Sequence, residues 1–105
     1  MSAWEFPVMA ILLPAARFGK PVCPHAGGVG LCEPVQHLPR FDYVAVSGTT
    51  QDRIIEYVEH LHDHFVDPVE TRHGAYRARS MPGFSGQMKQ SSPHRHGYPG
   101  GSAWA

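Results

Sequence analysis

The sequence predicts an α/β chain in which a short buried strand delivers a histidine to a glycine-rich turn. Two observations carry this expectation. Pro21, Val22 and Cys23 form a brief apolar run that ends at His25, and Gly27, Gly28 and Gly30 follow, where the backbone can turn sharply and approach a ligand. On either side apolar residues recur at helical spacing, at Val8, Ile11, Leu12, Ala15 and Phe18 before the run and at Leu31, Val35 and Leu38 after it. Chemistry in α/β folds collects at the carboxyl ends of strands, and an imidazole titrating near neutrality can pass a proton either way. His25 is therefore the leading catalytic candidate.

Each element follows in order. The first helix is expected over residues 8–19, with Gly19 as its C-cap, and Pro14 should kink it or delay its start, because an interior proline removes a hydrogen bond and clashes with the preceding turn. A short strand at 21–24 precedes the glycine turn. The second helix begins at Leu31 with Pro34 in its first turn, and Pro39 ends or breaks it. From Phe41 to Phe65 two readings stay open. Thr49 followed by Asp52 resembles a capping box, after which Ile54, Val58, Leu61 and Phe65 would line one helix face; yet Ile54, Ile55, Tyr57 and Val58 are strand-favouring residues. Asp67-Pro68 stops any helix, residues 69–79 read as two extended pieces about His73-Gly74, and Pro82-Gly83 marks a turn. Residues 87–105, rich in Ser, Pro, Gly, His and Arg, have little to bury and are expected as a flexible tail.

Composition narrows the function classes. Nine basic and nine acidic residues balance over 105 residues, so nothing steers the chain toward nucleic acid or an anionic membrane. Cys23 and Cys32 are the only cysteines; they lack zinc-ribbon spacing and read as reduced, buried small hydrophobes in a cytoplasmic chain. The apolar run at 6–16 is too short to span a bilayer. Eight histidines make the charge pH-sensitive between about 5 and 7 and supply the alternative function, a small metal-binding module. If 56–64 is helical, Glu56, His60 and His64 share a face; if it is extended, His60, His62 and His64 do. Glu59 and Asp63 interleave with them as a solvated face would, and His94 with His96 is a weaker pair. Phe41, Tyr43, Tyr57 and Phe65 read as packing residues.

The run from Ala10 to Gly86, including PVCPHAGGVGLCE, VQHL, FDYVAVSGTT, EYVEHLHDHF, DPV and PGFS, resembles the carboxyl-terminal part of the L-fuconate dehydratases of the enolase superfamily. Weaker likeness continues through Tyr98, Pro99 and Gly100 toward Trp104. The resemblance implies a (β/α)8 barrel with a capping domain, of which this chain would hold about the last two strands and their helices plus a segment returning to the cap. It divides the chain into an atypical lead-in at 1–7, a partial barrel domain at 8–86 and the tail at 87–105. Strand seven would be 21–24 and strand eight 53–58, which settles the open reading in favour of a strand.

The chemistry the resemblance implies is dehydration of a sugar acid to a 2-keto-3-deoxy acid. His25 would be the acid–base residue, with His25, Ala26, Gly27 and Glu56 touching substrate. The family holds Mg2+ with three carboxylates on earlier strands, uses a lysine base and pairs the histidine with an aspartate. This chain has only one carboxylate, Glu5, before His25, so the strands that carry the metal ligands, the lysine base and the histidine partner are expected to be absent and the chain inactive alone. Self-association through an unpaired barrel edge is expected. A truncated product with no role of its own is the remaining reading.

Overall fold

A computed structural model describes residues 5–105; most of the expected lead-in lies outside this span. Helix α1, Glu5–Arg17, runs through Pro14 rather than starting after it. Its end is fixed by a Schellman motif: Lys20 N–H reaches Ala15 O at 2.8 Å and Gly19 N–H reaches Ala16 O at 3.0 Å, with Gly19 at φ 64° as the expected C-cap. One side of α1 is used, by Leu12, which is buried, while Ile11, Leu13 and Phe18 stay exposed. No helix among the described residues is long and apolar enough to cross a membrane.

The second helical region is longer than expected and broken differently. α2 (Cys32–Val35) and α3 (His37–Phe41) are separated at Gln36, which keeps right-handed φ and ψ, and a wider π turn continues over Asp42–Ser47. Pro39 lies inside α3 instead of ending it. Its missing N–H leaves the Val35 carbonyl without the usual i→i−4 bond, and the ladder divides there while the right-handed path continues. Gly48 in the left-handed region closes the π turn, with its N–H on Tyr43 O at 3.0 Å.

Neither expected barrel strand forms a ladder. Segments 21–24 and 53–58 carry no regular secondary structure and are joined by a single backbone bond, Glu56 N–H to Pro24 O at 3.1 Å. Two causes are visible. Pro21 and Pro24 have no N–H to donate, and the reciprocal parallel rung, Ala26 N–H to Glu56 O, is replaced: Ala26 N–H goes to the Glu56 carboxylate at 2.6 Å. Residues 53–58 thus form neither the expected strand nor the helix, but an irregular segment. Thr49 does not cap a helix; its Oγ1 accepts from Gln51 N–H two residues on, at 3.1 Å.

The strands among the described residues are β1 (Thr71–Arg72) and β2 (Ala75–Tyr76), an antiparallel hairpin pairing Thr71 with Tyr76 and Arg72 with Ala75. His73 and Gly74 have φ of 53° and 74°, the two positive values of a type I′ turn, as the His-Gly pair predicts. The region expected as a flexible tail holds structure. Met88 bridges Phe65 in antiparallel fashion, Val66 N–H bonds Gln87 O at 2.9 Å and Lys89 N–H bonds His64 O at 2.8 Å. Helix α4, Ser91–His96, follows.

Ala26, Cys32, Val35, Leu38 and Val69 form the core, with Val8, Ile55 and Tyr76 packed against it. It is small for the chain. The radius of gyration is 15.7 Å, where a compact chain of this length takes about 13 Å. The 7581 Å² of exposed surface likewise exceeds the roughly 5,800 Å² of a compact protein of this mass. Cys32 is buried as expected, but Cys23 is exposed, because the segment that carries it is covered on one side only.

Gly30 locks the glycine turn onto this core. It has φ 70°, and a Cβ there would stand 2.5 Å from Phe65 Cζ. Gly30→Ala combines a strained backbone with a steric clash and should cost about 2 kcal/mol, read as a lower denaturation midpoint. An unchanged midpoint would contradict the Gly30–Phe65 packing.

Candidate active site

The residues nominated by the sequence meet around one oxygen. Glu56 Oε2 lies 2.5 Å from His25 Nδ1 and 2.6 Å from Ala26 N. A carboxylate only accepts, so His25 Nδ1 carries the proton and Nε2 is left for outside chemistry. The His25 side chain is 78% exposed and that of Glu56 40%, so the ring is held from behind and open in front. Gly27 makes this possible. A Cβ at Gly27 would stand 2.8 Å from His25 Cε1 and 3.1 Å from Nε2, so any larger residue would push the ring away.

The geometry corrects one expectation. Lacking the family's aspartate, His25 was expected to have no partner to fix its tautomer; Glu56 Oε2 bonds its Nδ1 instead. The backbone of Glu56 is held at both ends, its N–H on Pro24 O and its carbonyl accepting the Tyr76 hydroxyl at 2.6 Å. Ala26, fully buried, has its own carbonyl taken by the Cys32 thiol at 3.5 Å.

A second constellation lies beneath the turn. Glu33 is fully buried, and its Oε1 accepts from His62 Nδ1 at 2.6 Å and from Val69 N–H at 3.3 Å. His62 Nε2 faces Val58 O at 2.8 Å. A carbonyl cannot donate, so Nε2 bears a proton, and a further proton lies between Nδ1 and Oε1; the pair holds two protons between them. Tyr57 stacks on the His62 ring at 5.4 Å. Glu33 Oε2 is buried without a partner. The sequence reading missed both Glu33 and Tyr76. An acidic residue inside the apolar run LCEPV was the available signal for Glu33; nothing in the sequence marks Tyr76 beyond its place after the hairpin turn.

The histidine metal module does not assemble. His62 turns to Glu33, whereas His64 bonds Ser92 Oγ at 2.9 Å and meets the His96 ring edge-on. Among the described residues no three His, Cys, Asp or Glu side chains converge on a metal position. The same finding covers Mg2+: no ligand set for it is present in this span, and the Glu56 oxygen nearest the turn is already engaged. A cavity of about 180 Å³ exists, but Gln36, Asp67, Glu70, Arg77 and Arg79 line it rather than the His25 turn. Beside it, burial and the charge of Arg79 hold the Arg40 guanidinium below its ordinary pKa.

Comparison with known proteins places this geometry in context. No protein-family model matches the chain. Mitochondrial enolase superfamily member 1 is 54% identical over 96 residues in Bos taurus and 51% in Homo sapiens. L-galactonate dehydratase of Hypocrea jecorina is 44% identical over 99 residues. The crystal structure of the human enolase superfamily member superimposes with a TM-score of 0.87 over 91% of this chain. In each case the chain spans only 22% of the relative's length. Over nearly its whole length the chain is thus similar, in sequence and backbone course, to one segment of enolase-superfamily proteins.

Two outcomes follow from the buried groups. His62→Ala leaves Glu33 buried without its counter-charge and should cost about 3–5 kcal/mol, enough to lose cooperative unfolding in a chain with so small a core; a melting curve like that of the wild type would refute the pairing. Burial, then the contact with Cys32, raises the Tyr76 pKa, so folding favours the neutral phenol. Its contribution is complete below about pH 10 and is lost as the pH rises beyond it. Unfolding midpoints should therefore fall above that pH in the wild type and fall less in Tyr76→Phe.

Proposed function

We propose that this chain supplies the His25–Glu56 part of a sugar-acid dehydratase site and acts only when the rest of an enolase-type barrel is provided. The observation that supports this best is Glu56 Oε2 holding both His25 Nδ1 and Ala26 N–H, which fixes a general acid at the edge of a turn whose glycines admit a ligand.

In the reaction a base removes the proton beside the substrate carboxylate while a proton is delivered to the departing 3-hydroxyl. The hydroxyl leaves as water, and the resulting enol becomes a 2-keto-3-deoxy acid. His25 Nε2 is the proton donor in this reading, and loss of that proton leaves a neutral ring still bonded through Nδ1 to Glu56. The main chain at Gly27 closes on the sugar acid, whereas both main-chain groups of Ala26 are engaged within the chain and hold the turn from behind. The one carboxylate at the turn, Glu56, is engaged with His25 and Ala26 and leaves no second base for the substrate's proton, so the chain alone does not begin the reaction.

The open surface agrees with a missing companion. Ile11, Phe18, Val44 and Ile54 are all more than half exposed, apolar area that a barrel would cover and that favours self-association when left bare. Substrate choice follows the resemblance to L-fuconate dehydratases, with L-galactonate as the competing acid suggested by the Hypocrea jecorina relative.

The test is 2-keto acid formation from either acid, with Mg2+ supplied, by the chain alone, by the chain mixed with the preceding barrel segment of an enolase-superfamily dehydratase, and by that mixture carrying His25→Asn. Silence alone, turnover in the mixture and a loss of at least about 100-fold with His25→Asn are expected. Turnover by the chain alone, or a mixture indifferent to His25, would overturn the proposal.

A further inference from the structure

The geometry points to Tyr76 as a positioning residue for the His25–Glu56 pair, acting through the Glu56 carbonyl. Glu56 offers Ala26 N–H two acceptors, its main-chain carbonyl and its own carboxylate. A regular parallel rung between the two segments would use the carbonyl. The structure instead gives the carbonyl to the Tyr76 hydroxyl at 2.6 Å and the amide to Oε2 at 2.6 Å. With the carbonyl satisfied, the carboxylate stays at the turn, where the same Oε2 meets His25 Nδ1 at 2.5 Å.

Tyr76 is suited to this task by its surroundings. Its ring packs on the core and meets Tyr57 edge-on at 5.7 Å. The phenol is kept protonated by burial and by the neighbouring Cys32 thiol, so it remains a donor. The hairpin that presents it is pinned by its own turn and by Arg77 N–H on Glu70 O at 2.8 Å. In Tyr76→Phe the ring remains and one donor disappears. The half-buried Glu56 carbonyl, now without its donor, competes for Ala26 N–H, and the carboxylate loses the contact that aims it at His25.

This inference rests on the proposed function only for its catalytic consequence; the effect on the imidazole is measurable without any activity. Ring nitrogen shifts of His25 would be recorded by NMR on the full chain, in the wild type, in Tyr76→Phe and in Glu56→Gln. In the wild type the neutral ring should carry its proton on Nδ1. In Tyr76→Phe the ratio of the Nδ1–H to the Nε2–H form should fall about threefold or more, toward the Glu56→Gln spectrum, while the His62 signals stay in place. A purely structural tyrosine would leave that ratio unchanged, and an unchanged ratio overturns the inference.

Should Tyr76→Phe lose the fold, 3-fluorotyrosine at position 76 keeps the shape and is a stronger donor, so it should move the ratio toward Nδ1–H. No movement there would equally overturn it. An inactive barrel mixture with a Tyr76-dependent ring ratio would sink the dehydratase reading and leave this one standing.

Discussion

The Ala26 amide has two acceptors on one residue, and the rest of the site depends on which it takes. Bonding to the Glu56 carbonyl would extend a parallel ladder and release the side chain to solvent. Bonding to Oε2 breaks the ladder after a single rung and brings a carboxylate to His25 Nδ1. One hydrogen bond is worth roughly 1 kcal/mol net, so neither arrangement wins on that bond alone. The balance is tipped by the Tyr76 hydroxyl, which satisfies the vacated carbonyl, and by the charge-assisted contact to the imidazole.

Beneath this turn the chain invests much of its interior in polar groups. Glu33, Gln36, Asp42, Ser85 and Ser92 are buried alongside only seven apolar side chains among the described residues. Gln36 Nε2 links the Glu33 carbonyl and the Ser85 hydroxyl, both at 2.8 Å, and Arg53 holds Asp42 at 2.8 Å. Such networks fix geometry more than they stabilise, since desolvation offsets much of the attraction. The chain is elongated, with many apolar side chains exposed and a largely polar interior.

Local signals were the most legible part of the sequence. Gly19 and the His73-Gly74 turn follow from backbone freedom at named residues, and each is found where expected. Glu56 reached the site through family resemblance, but its bond to His25 was not foreseen, because a pattern of residue types does not reveal which of two acceptors an amide will choose. The strands failed for a related reason. Val22, Ile54 and Ile55 favour extended backbone, yet a ladder also needs donors, and Pro21 and Pro24 have none. The histidines misled because spacing along one chain says nothing of partners distant in sequence: Glu33 claims His62 and Ser92 claims His64. The tail was read by composition, and the pairing of Met88 with Phe65 is a long-range contact that composition cannot carry.

The central claim is that a side chain, not the main chain, accepts the Ala26 amide. The most direct measurement is the proton shift of that amide in the full chain during an acid titration, recorded together with the Glu56 carboxyl carbon. Bonded to Oε2, the amide resonance should move upfield in step with the Glu56 carbon as the carboxylate takes up its proton. An Ala26 amide that stays flat while the Glu56 carbon titrates would show that the carbonyl holds it, and the account of the site would fail.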